Sequence, residues 1–194
     1  MSLKWWEKTV EYKFVMLVAK QEKLFLAPLD DKQERAGDLV FGSDSKWLLI
    51  EFKKDSNSIN TEKKKFNDYQ AANEALSSKD KHHHIVYGKE VDNILNLCCQ
   101  TYFSSSYDSL SGMLASGAEF DLFKSYIEEF TAFKKSPKGT SGSGGLNIDE
   151  FSMVAGVNNK GDIVECMSLR EFKQEYKLEL VQEKVKSHDM DHSR

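Results

Sequence analysis

Lys46-Trp47-Leu48-Leu49-Ile50-Glu51-Phe52-Lys53 is an apolar run that closes on Glu-x-Lys, and Gly37-Asp38-Leu39-Val40-Phe41 stands just ahead of it. Between them lies Gly42-Ser43-Asp44-Ser45, a turn composition flanked by two β-rich segments. The pattern predicts a hairpin of 38–42 with 46–54. Side chains alternate along a strand, so Glu51 and Lys53 share one face and Phe52 takes the other. Leu48-Leu49-Ile50 runs unbroken into the charges, which predicts a strand covered on both faces. On such a hairpin Asp38, Glu51 and Lys53 would converge. Three ionisable groups at the ends of apolar strands are costly unless they bind something.

The rest of the composition bounds the class. The chain has 194 residues, 40% of them hydrophobic, enough for a real core in one domain over 1–194. A net charge of −4 argues against wholesale coating of nucleic acid, though not against a local basic groove. No apolar stretch is long enough to span a bilayer, and Met1 to Glu7 lacks a signal-peptide layout. Three cysteines, two of them adjacent (Cys98, Cys99) and one distant (Cys166), make neither a disulfide framework nor a zinc pattern. A reduced, cytoplasmic setting is expected.

Along the chain, residues 4–20 predict a helix, with Trp6, Val10, Phe14 and Leu17 at helical spacing and Glu7 and Glu11 on another face. Residues 23–29 predict a short strand ended at Pro28. A helix capped by Asn60 or Thr61 runs to about Ser78, with Phe66, Tyr69, Ala72, Asn73 and Leu76 inward. His84-Ile85-Val86-Tyr87 predicts a further strand. Residues 91–135 read as helical, with helices over Val91–Phe103 and Phe120–Phe133 around a Ser/Gly-rich stretch at 104–117. Residues 136–146 read as a flexible Ser/Gly loop. Residues 147–186 supply a second hairpin, turning at Asn158-Asn159-Lys160-Gly161, and a helix from Ser168 to about Val185 with Glu171 at capping-box spacing.

Asp38 followed by Glu51-Phe52-Lys53, on a background of helix, three strands, helix and strand, resembles the PD-(D/E)xK superfamily, the restriction-endonuclease-like nucleases. The resemblance covers residues 4–90. It implies an α/β fold in which a three-strand meander and a fourth strand form a mixed central sheet flanked by helices. C-terminal helical and hairpin additions would follow. It implies that Asp38 and Glu51 hold Mg²⁺ or Mn²⁺, with the Phe52 carbonyl as a third ligand. Lys53 would assist the attacking water, and Glu11 would be the helix acid, with Glu7 as its rival. Gly37 stands where the Pro of the motif's name would be. Gln70 has Glu74, not Tyr, four residues on. The chemistry suits the set, since Mg²⁺ takes oxygen ligands and keeps several waters.

Other segments have plainer readings. His82-His83-His84 cannot all reach one ion from a strand, so a polar loop entering a strand is expected. His188 to His192 carries metal-like letters in a terminal segment expected to fray. Lys63-Lys64-Lys65, just after Lys53 and Lys54, reads equally as a solvated helix face and as a phosphate-contacting patch. Lys54, Lys63, Lys64 and Gln70 are therefore the candidate nucleic-acid contacts. Trp6 and Trp47 are expected in the core, and Cys98 and Cys99 as packed thiols on a helix. Ser141-Gly142-Ser143-Gly144-Gly145 lacks the Gly-Lys-Ser/Thr ending of a P-loop.

The expected function is metal-dependent hydrolysis of DNA, with RNA the second choice of substrate. Two alternatives stand beside it. One is an inactive nuclease-like binding module. The other is a protein-interaction component of a toxin–immunity or phage-defence system, which the acidic net charge suits. A homodimer or a protein partner is compatible with any of these.

Overall fold

The Lys46–Lys53 run forms β1 in the computed structural model, which describes residues 3–20, 45–135, 152–176 and 178. Every position of β1 after Lys46 is buried. Leu48, Ile50 and Phe52 enter one apolar layer, and Trp47 and Leu49 enter the other. Helix α1 (Glu7–Lys20) covers the first layer with Val10, Phe14 and Val18. Phe14 meets Phe52 edge-on, with ring centroids 5.5 Å apart.

The protein is α/β, with a mixed six-stranded sheet flanked by helices. Strand order is β4-β3-β2-β1-β5-β6. The strands are β2 (His83–Val91), β3 (Ile94–Thr101), β4 (Tyr107–Asp108), β5 (Ser152–Val157) and β6 (Ile163–Ser168). Among the described strands only the β1–β2 pair is parallel; the others are antiparallel. Parallel neighbours need a crossover. Here it is a 3₁₀ helix (Ser56–Lys65) followed by α2 (Tyr69–Leu76). The second layer is closed by α2, α4 (Phe120–Phe133) and α5 (Leu169–Glu175), and α3 (Leu110–Ala115) joins α1 on the first. No helix among the described residues is long and apolar enough to cross a membrane.

Several expectations are met. The helix at 4–20, the helix at 120–133 and the second hairpin are all present. Ser168 and Glu171 form the capping box of α5. Of the expected 38–42/46–54 hairpin, the 38–42 arm lies outside the described residues, and the other arm, β1, has described partners along both edges. Strand β5 pairs with Lys46–Glu51, β2 pairs with Leu49–Lys53, and Ala118 bridges Trp47. Other expectations are corrected. Residues 91–103 are not a helix: Val91 ends β2, and Ile94–Thr101 is the second arm of the β2–β3 hairpin. Asp92 and Asn93 turn it with φ of 53° and 58°, the positive values that a two-residue primed turn needs. Cys98 and Cys99 therefore lie on a strand.

The helix expected from residue 60 to 78 is broken in two. Phe66 is extended and bridges Lys134, so the chain leaves the helical path there and restarts at Asp68, whose side chain caps α2. Within the Ser/Gly-rich stretch at 104–117 lie β4 and α3. Trp47 is core at 3% exposure, but Trp6 is 69% exposed. Trp5 takes the inward place instead, its indole N–H donating to the Lys54 carbonyl at 2.7 Å. The expected strand at 23–29, the strand carrying Asp38, the loop at 136–146, and most of the chain past Tyr176 lie outside the described residues.

Candidate active site

Glu51 and Lys53 come from the last three residues of β1 and point into the layer of α2 and α4. Strand alternation alone puts them there, while the Phe52 side chain packs under α1. Glu51 is 1% exposed. Its Oε1 accepts a hydrogen bond from Ser152 Oγ at 2.6 Å, across the β1–β5 register. Its Oε2 is buried with no partner among the described residues. Lys53, also buried, places Nζ 2.9 Å from Glu62 Oε1 and 3.4 Å from Glu7 Oε2.

Glu62 was not singled out by the sequence, yet it joins the site together. Its Oε1 also meets Lys65 Nζ at 2.6 Å. Its Oε2 accepts from the Tyr102 hydroxyl at 2.7 Å and lies 3.7 Å from Lys134 Nζ. Lys134 donates to the same Tyr102 hydroxyl at 3.1 Å and rests over the rings of Phe66 and Phe130, 4.3 and 4.4 Å from their centroids. The only sequence hint of Glu62 was its i,i+3 spacing from Lys65, a weak cue on a lysine-rich stretch.

The charges divide unevenly. Burial, reinforced by Glu62, raises the Glu51 carboxyl above its ordinary range. Burial also pushes Glu62 up, but Lys65, Lys134 and Lys53 outweigh it and bring that carboxyl down to about 2. Burial pushes Lys53 down, but Glu62, Glu51 and Glu7 outweigh it and the ammonium is held above its usual value. Lys134 is lowered to about 8, chiefly by burial. Three lysines and three glutamates meet here. Among the glutamates, Glu51 is the one that burial pushes towards its neutral form.

The remaining predicted residues are dispersed. Glu11 is held by Lys8 at 2.7 Å, so the acid of α1 that reaches Lys53 is its rival, Glu7. Gln70 is exposed and donates to Glu74 Oε1 at 3.2 Å on its own helix. Lys54, Lys63 and Lys64 are exposed, and Lys63 lies over the Tyr69 ring. Asp38 lies outside the described residues.

His82, His83 and His84 are all buried, which corrects the polar-loop reading. His83 shares a hydrogen bond of 2.8 Å with the Tyr126 hydroxyl and stacks on Tyr102; His84 pairs with Ser116 Oγ at 2.8 Å. Burial lowers all three imidazoles, His82 to about 4, so they are neutral structural groups at neutral pH.

No cluster of three or more metal-ligating side chains occurs among the described residues. Judged by donor chemistry, the partnerless Glu51 Oε2 fits a divalent cation. Glu62 does not, since cations and a phenol already occupy both its oxygens. No family model matches the chain, and no curated protein or solved structure matches it.

Proposed function

We propose that this protein is a metal-dependent phosphodiesterase that hydrolyses DNA, with a site of the restriction-endonuclease-like kind at the C-terminal end of β1. One observation carries the reading. Glu51 and Lys53 lie side by side, buried, at the end of the central strand, and the Glu51 oxygen Oε2 has no partner there. A buried carboxylate oxygen left without a donor is costly, and a cation would satisfy it. Glu51, the Phe52 carbonyl and Asp38 would hold Mg²⁺ or Mn²⁺. A divalent cation supplies Lewis acidity and offsets the charge that builds on the phosphoryl oxygens. The Lys53 ammonium would orient the attacking water and bind a phosphoryl oxygen. Lys54, Lys63 and Lys64, exposed on the neighbouring segment, would meet the DNA backbone.

The test is cleavage of plasmid, linear and single-stranded DNA with Mg²⁺ or Mn²⁺. Lys53→Ala should reduce the rate by about 10²–10⁴-fold. Equal rates for Lys53→Ala and the unmodified protein would refute the assignment.

A second reading is an inactive nuclease scaffold used for binding. The observation that favours it is the clamp on Lys53, whose ammonium is already engaged by Glu7 and Glu62 inside the protein. Metal titration separates the two. A working site gains melting temperature with added Mn²⁺ in the unmodified protein and not in Glu51→Gln. A scaffold of the second kind melts at the same temperature with and without the ion.

A further inference from the structure

Trp6 is 69% exposed, although its helical spacing from Val10 and Phe14 predicts a core residue. The chain around it is pinned. Leu3 N–H donates to Glu90 Oε1 at 3.2 Å, the Trp5 indole N–H to the Lys54 carbonyl at 2.7 Å, and Trp6 N–H to Thr9 Oγ1 at 3.2 Å. Gly88 makes room for the Trp5 ring: a Cβ there would lie 2.6 Å from the indole nitrogen and 2.9 Å from the Lys54 carbonyl oxygen. Trp5 is the anchor, and Trp6 is the ring held out beside it. With Trp5, Lys4, Lys54, Asp55 and Glu90, Trp6 lines a cavity of about 370 Å³. Small-ligand sites span about 300–1,000 Å³. The cavity adjoins the candidate active site through two neighbours in sequence. Glu7, next to Trp6, places Oε2 3.4 Å from Lys53 Nζ, and Lys54 follows Lys53.

We propose that this cavity takes an unpaired DNA base stacked on Trp6, so that the protein selects single-stranded or frayed DNA over intact duplex. The link to cleavage rests on the phosphodiesterase reading; the stacking itself does not. Every base offers a π-face, and stacking on an aromatic side chain is tolerant of sequence. Inside a duplex the neighbouring bases cover both faces, so a base must first be unstacked to reach the ring. The charges suit a base within the cavity better than a phosphate, because Asp55 and Glu90 balance the exposed Lys4 and Lys54. Asp55 accepts from Ser58 N–H at 2.9 Å and Glu90 from Leu3 N–H, so both acids have places in the fold. A carboxylate repels a phosphate but accepts from the amino group of a base. The two exposed ammonium groups meet the phosphates of the strand.

The test is fluorescence anisotropy of a labelled single-stranded oligonucleotide, and of the same strand in blunt duplex, with chelator present so that no cleavage intervenes. The unmodified protein should bind the single strand more tightly. Trp6→Ala should weaken that binding about 5–150-fold, the loss of one stacked base. Trp6→Phe, which restores a ring, should recover most of it. Tyr12→Ala is the control, since Tyr12 is 59% exposed on α1 but does not line the cavity. It should bind as the unmodified protein does. Undiminished binding by Trp6→Ala overturns the proposal, as does equal affinity for duplex or binding to neither form. An equal loss in Tyr12→Ala overturns it too, because contact would then spread over the outer face of α1 in the manner of a protein-docking surface. The two readings fail separately. Full-rate cleavage by Lys53→Ala removes the phosphodiesterase assignment and leaves the Trp6 binding result standing. Unchanged affinity in Trp6→Ala removes the stacked base and leaves the cleavage result standing.

Discussion

Glu62 and Glu51 share one cluster of lysines, and the cluster treats them oppositely. Glu62 is brought down from 4.5 to about 2, whereas Glu51 is raised. A carboxyl depressed on folding adds stability that is complete above its unfolded value and fades as pH falls towards its folded one. For Glu62 that window runs from about 4.5 down to about 2. Glu51 acts with the other sign and above 4.5, where its raised carboxyl makes the folded state the better proton binder. The melting temperature of the unmodified protein should therefore drop between pH 4.5 and 2, and that of Glu62→Gln should drop less. Circular dichroism melts at stepped pH check this; parallel curves for the two proteins would remove Glu62 from the acid response. At this scale the sequence was partly legible. Glu51 and Lys53 fall on one face by alternation, which needs no knowledge of the rest of the fold. Glu7 and Glu11 lie one helical turn apart, and only the crossing of α1 over β1 decides between them. Tyr102 and Lys134 could not be read, because they arrive at the ends of β3 and α4 from distant sequence.

Among the elements, the β2–β3 hairpin shows where periodicity misleads. Ile94, Leu95, Leu97 and Cys98 fit a helical stripe as well as a strand, and short apolar runs do not distinguish the two. The decisive local cue was the turn, Asp92-Asn93, two residue types that tolerate positive φ. A β-branched residue there is strained, so Asn93→Val should cost about 1–2 kcal/mol, measured by urea unfolding. A loss within about 0.5 kcal/mol would mean that the hairpin is held by its strands alone. The broken helix at Phe66 teaches a similar lesson. Its apolar spacing is helical, but a backbone pairing with Lys134 overrides it, and Asp68 offers a fresh cap.

For the whole molecule, the α/β class followed from strands separated by helical segments, but the order of strands did not. Nothing local says that β1 will lie between β2 and β5. The packing around Trp47 shows what that order achieves. Its ring lies 5.8 Å from Phe120, 6.2 Å from Phe123, 5.4 Å from Phe172 and 5.8 Å from Tyr176, joining α4 and α5 to the central strand. Trp47→Ala should cost about 3–5 kcal/mol. Trp6→Ala, at an exposed site, should change stability by less than about 0.5 kcal/mol. Equal costs would contradict the layer arrangement.

The flank of β1 taken by β5 has a consequence for biosynthesis. Ser152 comes 101 residues after Glu51. A ribosome adding about 5–20 residues per second reaches it roughly 5–20 s later. Through that interval the nascent polypeptide carries a bare edge on the strand that is most fully buried among those described, open to a chaperone or to the same edge on a neighbouring nascent chain.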